Sequence, residues 1–300
     1  MERESLLSIL IVLLGGLALQ PFVWWPSAGA ADRSPAELER RSWRRLWYPL
    51  VPTLLVAAWL CGWALTEPDP VRDPLDRWGL LAVGLPFGVI FARALARAAW
   101  SLLRTPIDCG ISTVGLIQPQ VVFPPLLAKQ LDDGVIRAAL AHERAHATHR
   151  DPLRIWLAQL ATDLQWPWPW AAERLETWLE ALELARDDEA RAEGADGPDM
   201  AAAVLASVRY LERLAPARSA LSANGTQLAH ARLIGDPGVL RKRVARLLAP
   251  LSEPCRQSSQ RPASSWRAGG VLLIPLLLAA LVLGALYGNL LIRPLLGMIS

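Results

Sequence analysis

Cysteine, histidine and lysine are all scarce in this 300-residue chain, and each scarcity removes a class of explanation. The three cysteines, Cys61, Cys109 and Cys255, lie far apart, so neither a disulfide framework nor a Cys-x-x-Cys metal site is available, and all three are assigned to packing. Lysine occurs only at Lys129 and Lys242. The formal net charge is +3, and arginines flanking apolar segments account for it, so the basic balance does not signify nucleic-acid binding. No internal repeat is visible. Polar, low-order sequence is confined to Ser252 to Ser265, rich in Ser, Pro and Gln, which reads as a linker open to proteolysis.

Apolar sequence, by contrast, is abundant: 53% of residues are hydrophobic and the mean hydropathy is +0.25, unusual for a soluble protein. Four runs stand out against the roughly 20 apolar residues needed to cross a hydrocarbon core about 30 Å thick. They are Leu6 to Trp25, Trp47 to Leu65, Trp78 to Ala92 and Gly269 to Ile292. The third is short, but Arg93 and Arg97 can snorkel and Trp100 suits an interface. Trp24, Trp25, Trp47 and Trp78 likewise fall at expected membrane ends. A cleaved signal peptide ending at Ala28-Gly29-Ala30 is the competing reading of the first run. Glu2 and Glu4 beside Arg3, and the arginine-rich segment that cleavage would leave outside, favour a retained helix. Gly84-x-x-x-Gly88 and Gly284-x-x-x-Gly288 would let helices pack closely.

Basic residues fix the expected topology. The loop after the first run carries Arg33, Arg40, Arg41, Arg44 and Arg45. The next holds Glu67, Asp69, Asp73 and Asp76 against Arg72 and Arg77, whereas Arg93, Arg97 and Arg104 follow the third run. Arg241, Lys242, Arg243, Arg246, Arg256, Arg261 and Arg267 precede the fourth. The expectation is a multi-pass protein of the cell membrane with both termini outside and the middle region cytoplasmic. Its parts are a three-helix transmembrane module over 1–103, a cytoplasmic domain over 104–251, a linker over 252–268, and a fourth helix with a short tail over 269–300.

Within the middle region, Gly115 to Phe123 has β-branched and aromatic character, and Pro119 and Pro124 restrict it to an edge strand whose free backbone suits a peptide. A helix opens at Asp132-Asp133 and stops at Asp151-Pro152. Another runs from about Ala171 to Arg191, with Leu175, Trp178, Leu179 and Leu182 at helical spacing and an acidic opposite face. Further helices are expected at Met200 to Leu214 and Val239 to Leu248, separated by a loop with Asn224-Gly225.

The first of these helices carries His142-Glu143-Arg144-Ala145-His146. Spacing of i, i+4 places both imidazoles on one face, where two nitrogens can bind one zinc, and Glu143 sits beside the metal to move a proton. Two stray histidines on a helix surface is the bland alternative. Against it, three of the chain's four histidines, His142, His146 and His149, lie in this helix. A catalytic zinc wants a third protein ligand. Glu183 and Asp187, one turn apart, supply a ligand and a partner that fixes a histidine tautomer, with Glu180 a rival ligand. His149 reads as a helix-end cap or a solvent-facing residue. His230 and Arg243 are candidates for stabilising an oxyanion. Spacing does not decide between zinc and another divalent ion.

Taken together, these residues resemble the BlaR/MecR antirepressor type of membrane zinc metallopeptidase. The likeness rests on Gly-Leu-x-x-Pro-x-x-x-x-Pro-Pro from Gly115 to Pro125, on Ala-His-Glu-x-Ala-His with Arg150-Asp151 after it, and on the Trp/Pro segment. Glu-Leu-Ala-x-Asp from Glu183, and Leu240 to Leu248 with its Arg-x-x-Arg, extend it. The resemblance implies a mainly α membrane protein: four transmembrane helices with a gluzincin-like α+β metalloprotease domain inserted between the third and fourth. It also implies His142, His146 and Glu183 as zinc (Zn2+) ligands, Glu143 as general base and acid, and Asp187 as the residue orienting a ligand. The expected substrate is a protein or peptide, with a cytoplasmic transcriptional repressor as candidate and self-cleavage near the linker. A lipid bilayer and a separate sensor protein are expected partners, and direct nucleic-acid contact is not. Arg293 to Ser300 follow the fourth run in this sequence and it contains no Ser-x-x-Lys, so an acylated-serine sensor of that family's penicillin-binding type is not expected. Two rival readings remain: a quality-control or prenyl-processing membrane metalloprotease, and a non-catalytic transducer with a structural zinc.

Overall fold

Pro35 opens the first described helix, α1 (Pro35–Trp47), at a position where its missing N–H costs nothing, and Arg44 and Arg45 in the last turn complement the helix dipole. The computed structural model describes residues 34–66, 111–165, 169–218, 237–250 and 278–287, with isolated helical positions at 276 and between 85 and 99. An arginine-rich loop was the expectation for the α1 segment. A helix forms instead because Pro35, Glu39, Trp43 and Leu46 recur at helical spacing and turn inward, leaving the arginines outside.

The expected architecture of four membrane-spanning helices is corrected. Among the described residues, no helix is long and apolar enough to cross a membrane. Leu6 to Trp25 lies outside the described residues, as does most of Trp78 to Ala92 and both ends of Gly269 to Ile292. Trp47 to Leu65 does not form one span. The chain turns at Tyr48-Pro49, so that Trp47 ends α1, and α2 (Leu50–Thr66) has 17 residues, short of the roughly 20 that a bilayer needs. Nor is Trp47 an interfacial anchor: it packs with Trp43 against the core, their rings 5.7 Å apart. The multi-pass location, with its outside termini, is corrected on the same finding.

The described part of the fourth expected run, residues 278–287, is helical and crosses α2 closely. A Cβ on Gly62 would lie 1.8 Å from the Leu281 carbonyl oxygen, and one on Gly284 would lie 1.8 Å from that of Trp59. Two glycines are what lets these backbones touch.

Residues 111–250 build the rest. Strand β1 (Ser112–Val114) pairs antiparallel with β2 (Gln120–Val122), Thr113 opposite Val121. The strand expected over Gly115 to Phe123 is therefore shorter and has an unforeseen partner. Gly115, at φ 98°, takes the left-handed conformation and starts the turn between them. A short helix α3 (Pro125–Ala128) follows, then α4 (Asp133–Thr148), where Asp133 in the first turn favours the positive end of the dipole. Arg150, at φ 52°, reverses the chain, and α5 (Asp151–Leu164) begins at once with a proline in its first turn. The remaining helices are α6 (Pro169–Ala192), α7 (Gly197–Arg218) and α8 (Pro237–Leu248).

Helix α6 is the axis of the packing. Its Leu175, Trp178, Leu179 and Leu182 form one buried cluster with Leu46 of α1 and Ala158 of α5. Its Ala190 joins a second with Ala138 of α4, Met200 and Ala201 of α7, and Leu247 of α8. Burying the leucines and Met200 stabilises the fold by about 1.5–3 kcal/mol each, and the two clusters together press the polar faces of α4 and α6 against one another.

Candidate metal centre

Where α4 meets α6, His142 and His146 project towards Glu183. The three side chains lie within 4.8 Å of one another through one donor atom each, and all are buried. His142 Nε2 is 3.1 Å from His146 Nε2 and 3.5 Å from Glu183 Oε2, and His146 Nε2 is 3.6 Å from Glu183 Oε1. Ligands about 2.0–2.1 Å from a tetrahedral zinc stand about 3.3–3.4 Å from each other, so the triangle has the size that such an ion requires.

Each ring is held from behind. His142 Nδ1 is 3.0 Å from Asp187 Oδ1, and Arg243 clamps that carboxylate with Nε to Oδ2 at 2.7 Å and Nη2 to Oδ1 at 2.8 Å. His146 Nδ1 is 2.9 Å from Asp151 Oδ2. Arg186 holds both oxygens of Asp151, at 2.6 and 3.2 Å, and Arg154 Nη1 reaches Oδ1 at 2.9 Å. The His146 Nδ1–Asp151 hydrogen bond and the ion-pair approach of Asp187 to His142 Nδ1 turn both Nε2 atoms towards one place. The Arg243 guanidinium approaches the same place, its Nη2 3.2 Å from His142 Nε2, and the convergence of two Nε2 atoms 3.1 Å apart with a carboxylate fits a divalent metal.

The electrostatics agree with the geometry. Burial alone would lower the His142 pKa, yet Asp187 and Glu183 hold it up at about 9. For Asp187, burial favours the neutral form, but Arg243 and then His142 outweigh it and keep the carboxyl at about 2. Asp151 behaves likewise: Arg186 and His146 overcome burial and hold it far below the usual carboxylate range. Arg243 is itself pushed above its ordinary value, since Asp187 and Glu183 outweigh its burial.

A cavity opens beside this centre between α4, α7 and α8. Ala138, Ala139, Met200, Ala203, Val204 and Leu240 give it an apolar wall, and Glu143 and Glu180 line it with His142 and Glu183. Glu143 is buried, and the Thr113 hydroxyl of β1 lies 2.8 Å from its Oε2.

The structure therefore brings together six residues singled out from the sequence: His142, Glu143, His146, Glu183, Asp187 and Arg243. Glu180 lines the cavity outside the ligating group. His149 closes α4 and meets Glu189 Oε1 at 2.9 Å. Arg243 is in the site, where its Nη1 also meets Glu183 at 2.8 Å and its Nη2 stands 3.2 Å from His142 Nε2. His230 lies outside the described residues, as do the Asn224-Gly225 loop and the Ser252 to Ser265 linker. Sequence reasoning gave no role to Thr113, Asp151, Arg154, Arg186 or Glu39. For Asp151 a signal existed, an acid placed one tight turn after His146. The others reach the site only through tertiary packing.

Comparisons with protein-family models, with curated proteins and with solved structures find no match to this chain.

Proposed function

We propose that this chain is a zinc-dependent endopeptidase in which His142, His146 and Glu183 hold the metal and Glu143 moves the proton. The observation that carries the reading is the buried convergence of two Nε2 atoms and a carboxylate beside a cavity that also contains a buried glutamate. When bound, zinc supplies a Lewis acid that brings the pKa of its water towards about 7 and polarises a carbonyl.

The chain's own residues do the rest. Asp151 pairs with Nδ1 of His146 and Asp187 lies 3.0 Å from Nδ1 of His142, so both rings are held with Nε2 towards the centre. Glu143 takes a proton from the attacking water and hands it to the departing amine nitrogen, so it ends each cycle as it began. The Thr113 hydroxyl, 2.8 Å from both the backbone oxygen and Oε2 of Glu143, has that carboxylate within donating reach. Among the described residues β1 pairs with β2 alone, which suits an extended substrate backbone adding along the free edge of the strand that carries Thr113. The apolar cavity wall then receives a side chain, and the resemblance of the motifs adds a transcriptional repressor as the substrate protein.

Metal content of the purified chain tests the site. One zinc per chain, lost on Glu183→Ala and kept on Glu180→Ala, is the expected result. A wild type without affinity for zinc, or zinc retained by Glu183→Ala, overturns the ligand assignment.

A further inference from the structure

We infer that Glu39 is a positioning residue of the metal centre, and that α1, which carries it, is thermodynamically coupled to metal binding. The inference rests on the proposed metal centre and extends it to an element no motif connects with it.

The connection is a line of alternating charge. Glu39, 6% exposed, accepts a hydrogen bond from Arg154, a residue 115 positions further along the chain, and another at 3.1 Å from Trp178 Nε1. On its other side Arg154 donates to Asp151 Oδ1 at 2.9 Å, and Asp151 Oδ2 faces His146 Nδ1 at 2.9 Å. The guanidinium is also boxed in by indoles, 5.0 Å from the Trp43 ring and 5.6 Å from the Trp178 ring. Water cannot easily replace a partner lost from this interior, so Arg154 keeps its pose only while both carboxylates flank it.

Removing the Glu39 charge therefore does not stop at Arg154. The unbalanced guanidinium draws harder on Asp151, the carboxylate that sets the His146 tautomer and its strength as a ligand. Partners behind a metal-bound histidine govern affinity by about 10–100-fold, and Glu39 acts two steps further out, through Arg154 and Asp151. Trp43, on the same helix as Glu39, packs on Trp178 with centroids 5.0 Å apart, so α1 cannot shift without disturbing the line. Coupling of this kind is reciprocal: what α1 does for the metal, the metal does for α1.

Two measurements on the full chain test it. Zinc affinity is read by competition with a chromophoric chelator for wild type, Glu39→Gln, Arg154→Gln and the double variant, each checked by circular dichroism. Arg41→Ala serves as a control on the exposed face of the same helix. Glu39→Gln is expected to weaken zinc binding roughly tenfold, the double variant to lose less than the two singles multiplied together, and Arg41→Ala to match wild type. Amide hydrogen exchange over 35–47 is then followed in wild type with and without zinc, and zinc is expected to slow it. A folded Glu39→Gln with wild-type affinity overturns the inference and leaves the metal centre standing. So does exchange over 35–47 that zinc leaves unchanged, a result independent of how any variant folds. A wild type that takes no zinc overturns both.

Discussion

The Nε2 atoms of His142 and His146 stand 3.1 Å apart, on rings whose other nitrogens each face a carboxylate, Asp187 in one case and Asp151 in the other. That arrangement has room for one cation or one proton between the rings. Metal and proton must therefore compete. With the His142 pKa raised to about 9, zinc binding below that pH displaces a proton. Apparent zinc affinity should rise about tenfold per pH unit from neutrality and level off above pH 9. Calorimetry in buffers of different ionisation enthalpy counts the released proton. An affinity independent of pH between 7 and 9 contradicts the competition.

Acid should loosen the apo protein for a related reason. The Asp187 carboxyl titrates at about 2 in the fold against an ordinary 3.8. A group whose folded pKa is depressed contributes stability that is present above its unfolded value and lost as pH falls through its folded one. Asp187 accordingly stabilises the chain above pH 3.8 and loses that contribution between there and about pH 2. Denaturant midpoints for wild type and Asp187→Asn should converge across this window, and a gap that stays constant would show the pairing with Arg243 and His142 to be immaterial.

Asp151 is fully buried among Arg154, Arg186 and His146. Replacing it with Asn keeps the shape and leaves two buried arginines short of negative charge, a loss of about 3–5 kcal/mol for pairs of this kind. Zinc affinity should fall with it by about 10–100-fold. Urea unfolding with parallel zinc titration separates the two effects. A variant as stable as wild type would mean that water enters this interior.

Some of this was legible in the sequence and some was not, for reasons that residues make plain. The i, i+4 pair His142/His146 and the i, i+4 pair Glu183/Asp187 are local, so helix periodicity alone put each pair on one face. Apolar spacing likewise pointed to α6, whereas α7, expected over Met200 to Leu214, runs further at both ends, from Gly197 to Arg218. What escaped was either hidden in composition or made by tertiary contact. The arginines of 33–45 masked the inward stripe of Pro35, Glu39, Trp43 and Leu46, and a loop was expected where α1 stands. Hydropathy counted Trp47 into a membrane run because it cannot see the turn at Tyr48-Pro49. Thr113 came within reach of Glu143 only when β1 packed beside α4, and no spacing rule joins Glu39 to Arg154.

The Thr113 hydroxyl is 2.8 Å from a carboxylate proposed to carry the proton. A hydrogen bond to a charged group contributes about 1.5–3 kcal/mol. Thr113→Val should therefore lower kcat by at least about tenfold while leaving zinc affinity within twofold of wild type. Loss of zinc in that variant would place Thr113 in the metal's support instead.

Peptide-bond hydrolysis by zinc-loaded wild type, measured beside Glu143→Gln at matched zinc content on a library of unstructured peptides, tests the central claim most directly. Wild type should cleave, and Glu143→Gln should hold one zinc and turn over about 100-fold or more slowly, the share that a positioned proton carrier supplies. A zinc-loaded wild type that leaves the library intact, or a Glu143→Gln chain that cleaves as fast, would contradict the account.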